Sequence, residues 1–110
     1  MKFAIPLAEG KLTAHFGHCK EFAVIDVEDK QIVKKEILEP PPHEPGVLPK
    51  WLHDMGTNVI IAGGMGQRAI SLFDQSGISV IVGAPSLEPE ELVKNYLEDK
   101  LVTGGNVCDH

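Results

Sequence analysis

The side chains best suited to chemistry fall in two short clusters near opposite ends of the chain. His15-Phe16-Gly17-His18-Cys19 holds two of the five histidines and one of the two cysteines. Val107-Cys108-Asp109-His110 holds the other cysteine and one more histidine. Thiolate and imidazole suit zinc, copper, iron and iron–sulfur clusters, whereas carboxylate-rich sites suit magnesium or calcium. His18 and Cys19 are adjacent, so extended chain would point them apart and a turn would bring both to one metal. His15 lies three residues before His18 and joins it only in a tight loop; alone it reads as a solvated histidine. A lone cysteine is ordinarily a small core residue. Cys19 is weighed as a ligand because its pairing with imidazole recurs in Cys108-Asp109-His110. The simple reading of that ending is a frayed terminus. On its Gly104-Gly105 hinge it could instead swing in as a second clamp, since ten extended residues span roughly 30 Å. His43 is a third contributor or an exposed loop histidine. His53 falls on the polar side of a helix and is not expected to take part.

A second feature is the glycine turn Gly63-Gly64-Met65-Gly66, which opens a helix. Backbone N–H groups at a helix start attract anions, and glycine lets a ligand approach closely. Gly64-Met65-Gly66-Gln67-Arg68-Ala69 matches the G-x-G-x-x-G/A dinucleotide pattern by its letters. That pattern belongs after the first strand of a domain, with an acidic residue at the end of the next strand. Here it follows a late strand, and the next strand ends Val82-Gly83-Ala84, so a nicotinamide site is discounted. Arg68, the single arginine, stands in the first helical turn, where its charge opposes the helix dipole unless an anion is bound. A solvated surface arginine is the competing reading. Met65 either covers the site or packs. No nucleophile elbow, Walker loop or H-E-x-x-H occurs.

The elements that must position these residues alternate in a recognisable way. Lys2 to Leu7 is a short apolar strand on which Pro6 halts pairing on one side. Ala8 to Lys20 is a glycine- and histidine-bearing connection that has room for a short strand around Lys11 to Ala14. Glu21 to Glu28 is continuously apolar inside, as in a strand buried on both faces. Gln31 to Glu39 carries scattered charge, as edge strands do, and forms a hairpin with it. Glu39 to Gly46 holds four prolines and is a stiff, extended link. Val47, Leu48, Trp51, Leu52 and Met55 then share one helical face, stopped by Gly56. Asn58 to Ala62 is a buried strand, Gln67 to Ser76 a helix, Ser79 to Val82 a strand, and Pro89 to Asp99 the last helix. A meander followed by alternating α/β crossovers gives an α/β fold with a five-stranded mixed sheet. The expected strand order is 3-2-1-4-5, with helices on the faces in three layers, as in ribonuclease-H-like folds. The first and fourth strands are then parallel neighbours. Their following loops, one with His15, His18 and Cys19 and the other with Gly63 to Gly66, share a sheet edge.

Composition narrows the function. At 110 residues, 43% hydrophobic and 24% charged, the chain suits one soluble domain, 1–100, with 101–110 as a flexible tail bearing cysteine and histidine. A net charge of −6 and 5% aromatic residues disfavour nucleic acid and anionic membrane. No apolar run has the length of a membrane span, and the start lacks a signal peptide's apolar region, so the expected location is cytoplasmic. Nuclease chemistry needs clustered carboxylates, and Phe3-Ala4-Ile5-Pro6-Leu7 has none.

Phe16-Gly17-His18-Cys19, then Phe22-Ala23-Val24-Ile25-Asp26, then Ile61-Ala62-Gly63-Gly64-Met65-Gly66-Gln67-Arg68-Ala69 and Gly77-Ile78, together resemble the dinitrogenase iron–molybdenum cofactor biosynthesis family. The likeness spans nearly the whole chain, and the glycine turn with its helix is its most specific part. It implies a ribonuclease-H-like fold and a small, non-catalytic carrier of iron–sulfur or iron–molybdenum cluster precursors. By the same resemblance, Gly64 and Gly66 shape the site, with His18 and Cys19 beside it. Thiolate ligation and the Cys108-Asp109-His110 ending are readings of this chain alone. The expected cargo is such a cluster, or a single ion such as zinc or copper. The expected partners are cluster donor and acceptor proteins, with the chain a monomer or a homodimer. Two other classes remain in view. One is a nucleotide- or phosphate-binding enzyme using the glycine turn; the other is a cofactor-free regulatory module whose hairpin edge pairs with a partner.

Overall fold

Strand residues alternate between two cores, one on each face of a single sheet. The computed structural model describes residues 1–13, 19–41, 46–101 and 103. Its elements run β1 (Lys2–Ala8), β2 (Lys11–Leu12), β3 (Glu21–Glu28), β4 (Gln31–Leu38), α1 (Val47–Asp54), β5 (Val59–Ile61), α2 (Gln67–Gln75), β6 (Ser79–Ile81) and α3 (Pro89–Leu97). The main sheet order is β4-β3-β1-β5-β6. The strand β3 runs antiparallel to both of its neighbours, β4 and β1, and β1, β5 and β6 are parallel. This is the expected 3-2-1-4-5 order for the five longer elements. The count is corrected to six strands, because β2 pairs with the end of β1. A two-residue strand carries no periodic signal of its own. Its pairing follows from the tight turn at Glu9 and Gly10, both at positive φ, the geometry of a two-residue hairpin.

Phe3, Ile5 and Leu7 of β1 join Ala23, Ile25 and Val27 of β3 and Val59 and Ile61 of β5 in one core, where Leu92 and Val93 bring in α3. Ala4, Phe22 and Ile60 point to the other face, where Leu48 and Leu52 of α1 and Phe73 of α2 complete a second core. Helices therefore cover both faces, which is why β1 and the Phe22–Ile25 stretch of β3 read as continuous apolar runs. An aromatic edge contact ties each face together: Phe3 with Tyr96 at 5.2 Å, and Phe22 with Trp51 at 5.7 Å. The helix stops are where the sequence marks them. Gly56 and Gly77 follow α1 and α2 with φ near 85° and 78°, a left-handed conformation that glycine adopts at little cost. The strand β4 is the outer edge, and most of its residues are exposed.

Candidate functional site

The site is built at the edge where the parallel strands β1 and β5 end. Phe3 and Ala4 pair with Val59 and Ile60, and beyond that point the same side of β1 changes partner, so that Leu7 and Ala8 pair with Leu12 and Lys11 of β2. Pro6 occupies the changeover. Its carbonyl accepts from the Thr13 N–H at 3.1 Å, while its own nitrogen has no hydrogen to give. The Lys20 N–H donates to the Leu7 carbonyl at 2.8 Å. Both flanks of segment 14–18 are thus fastened to the last residues of β1.

The chain after β5 reaches the same edge. Gly63 accepts from the Gly83 N–H at 2.6 Å, and Ala62 accepts from the Ala84 N–H at 3.1 Å. The loop after β6 continues to β2, where the Leu12 N–H donates to Leu87 at 3.1 Å and the Ser86 hydroxyl donates to the Leu12 carbonyl at 2.7 Å. Three loops are therefore laced into one rim. Sequence reasoning missed the third, 82–88, and its Ser86 and Leu87 contacts; the Gly83-Ala84-Pro85-Ser86 run marks a turn but not its partner.

Within this rim Gly63 and Gly64 are buried and Gly66 is half-buried. Met65 is fully buried and packs in the α1/α2 core with Phe73 and Leu52. Gly66 is the N-cap of α2, with φ −66° and ψ 153° and no side-chain cap bond. A Cβ built there would meet nothing within 4 Å, so neither backbone nor sterics of the described residues demands glycine. Arg68 is exposed in the first turn of α2.

Cys19 lies in the same core cluster as Met65, so thiol and glycine turn occupy the same side of the sheet. It is buried, 8% exposed. Burial pushes its thiol up to about 11, with a backbone hydrogen bond pulling weakly the other way. At neutral pH the sulfur is therefore protonated, and it would bind a metal only if the metal displaced that proton to solvent. Such a donor fits a soft metal and responds to pH.

His15, His18, His43, Cys108 and His110 lie outside the described residues, and so does most of the 101–110 tail. Among the described residues, no group of three or more histidine, cysteine or acidic side chains is arranged to hold a metal. His53 is exposed at the end of α1, 3.6 Å from the Asp54 carboxylate, and away from the rim in sequence and in element. No helix of the described residues is long and apolar enough to cross a membrane.

Comparison with known proteins matches residues 1–99 to the family described as dinitrogenase iron-molybdenum cofactor. The uncharacterized protein MJ0580 of Methanocaldococcus jannaschii is 37% identical over 106 residues, which cover 92% of this chain and 89% of that protein. The crystal structure of PH0822 is similar with a TM-score of 0.86 and 31% identity, covering 94% of each chain. The apo form of the orange protein from Desulfovibrio gigas shares the fold, with a TM-score of 0.74 at 20% identity over 96% of this chain and 93% of that one.

Proposed function

The chain belongs to the dinitrogenase iron–molybdenum cofactor family, and from that premise we propose that it binds and carries an iron–sulfur or iron–molybdenum type cluster, or a precursor of one, without catalysing a reaction. We read its sheet as the ribonuclease-H-like arrangement and its location as cytoplasmic. The observation that carries the proposal is the convergence at one rim of the Gly63–Gly66 turn with both fastened flanks of segment 14–18. A labile cluster needs soft ligands, backbone donors toward its sulfides and a protein surface that yields it to an acceptor. Cys19 supplies a thiolate on deprotonation, His18 and His15 supply imidazole beside it, and His43, Cys108 and His110 are further ligands in this reading. The α2 N-terminus, left open by Gly66, faces its amides toward the anionic cargo, and Arg68 adds positive charge. A single zinc or copper ion is the smaller cargo the same donors would accept. Cluster donor and acceptor proteins are its partners.

Anaerobic loading with iron and sulfide tests this. The loaded protein should show visible sulfur-to-iron charge-transfer absorbance that weakens sharply in Cys19→Ser. If Cys19→Ser and Cys108→Ser together leave iron binding intact, thiolate ligation is wrong.

A further inference from the structure

The outer strand β4 is eight residues long and lies at the end of the sheet order, with its far side unpaired among the described strands. An open edge of this length is a template for another strand unless it is guarded. Two of the exposed large hydrophobic residues, Val33 at 55% and Ile37 at 43%, both sit on it. Between them stand Lys34, Lys35 and Glu36. Lys34 and Glu36 lie on the α1/α2 face opposite Asp26 and Val24, with their charges 2.8 Å apart. Lys35 lies on the other face opposite Ile25 and is held by Glu90 of α3 at 3.0 Å.

This order of side chains is complementary to itself when reversed. From it we infer that two copies of the chain pair antiparallel through β4, about a two-fold axis at Lys35. In that register Lys34 of each copy faces Glu36 of the other, and Val33 of each faces Ile37 of the other. Opposite charges and apolar pairs directly across a ladder stabilise it, and like charges oppose it. The one like pair is Lys35 with its symmetry mate, and each of these is already neutralised by its own Glu90. The irregularity in the β3–β4 register, which leaves Val33 outside the ladder with β3, frees that residue for the partner. Slipping the register by one residue on each strand sets Glu36 against Glu36 and Lys34 against Leu38, so the charges select a single alignment. A two-strand contact buries little area, which makes this a concentration-dependent dimer rather than a permanent one. The rim that carries the proposed cargo lies at the end of the strands and stays open in both copies.

Sedimentation of the full chain over a concentration series is the test. The wild-type chain should pass from monomer to dimer. Lys34→Glu and Glu36→Lys should each weaken the dimer about tenfold or more, because each creates two like-charge pairs across the axis. The double reversal Lys34→Glu/Glu36→Lys should restore it. All three variants change only the exposed positions 34 and 36, and circular dichroism checks that each is folded. A chain that stays monomeric at every concentration, its edge left to some other protein's strand, overturns the inference. So does a dimer indifferent to both single reversals.

Discussion

Cys19 is a core residue in the structure and a ligand in the proposed function. Its thiol gains a place in the α1/α2 core at the cost of a harder deprotonation. A raised thiol pKa favours the folded state while the thiol is neutral. The benefit is complete below the unfolded value near 9 and is lost as pH climbs through about 11. Denaturant titrations at pH 8 and pH 10.5 should show the wild type losing up to about 2 kcal/mol that Cys19→Ala does not lose. The same burial predicts slow labelling: in a Cys108→Ser background, thiol reagents at neutral pH should modify the native protein far more slowly than the unfolded one. A second residue-scale prediction concerns Thr57. It is 5% exposed, and its hydroxyl finds no hydrogen-bond partner among the described residues. Thr57→Val keeps the shape and removes an unpaired buried oxygen, so it should stabilise the fold by about 1 kcal/mol, read as a higher melting temperature.

At the scale of elements, the start of α2 separates stability from binding. Gly66 is an N-cap without a cap bond, in a backbone conformation open to any residue and with space for a side chain. Gly66→Asp should therefore raise stability by about 0.5–1 kcal/mol, through a capping bond and a less free unfolded chain. The same carboxylate would stand where the proposed anionic cargo docks, so iron–sulfide loading should fall as the melting temperature rises. A loss of both together would speak for a merely structural glycine. The β3–β4 turn offers a control far from the rim. Asp29 and Lys30 both sit at positive φ, where a two-residue hairpin favours glycine at the second position. Lys30→Gly should stabilise by about 0.5–1 kcal/mol with cargo loading unchanged.

For the molecule as a whole, the strand order was legible because each half of the chain announces its connection rule. The apolar Phe22–Ile25 run of β3 and the charges scattered over β4 place one inside the sheet and the other at its edge. The helices between β5, β6 and the end of the chain demand parallel pairing. Pro6 was legible as a place where pairing stops, and the structure adds that β5 and β2 share that side of β1. The candidate site was less legible. Cys19 follows a glycine- and histidine-bearing stretch that reads as polar loop, and its desolvation arises from packing between elements distant in sequence. Met65, between glycines, carries no periodic mark to say that it joins the core. The lacing of 82–88 onto β2 depends on backbone hydrogen bonds that side-chain patterns do not encode. Elemental analysis of the protein purified without oxygen, with molybdenum, iron, copper and zinc measured together, tests the cargo claim most directly. Iron, alone or with molybdenum, bound to the wild type and diminished in Cys19→Ser is the predicted result. A metal-free protein that stays empty after anaerobic loading with iron and sulfide would contradict it.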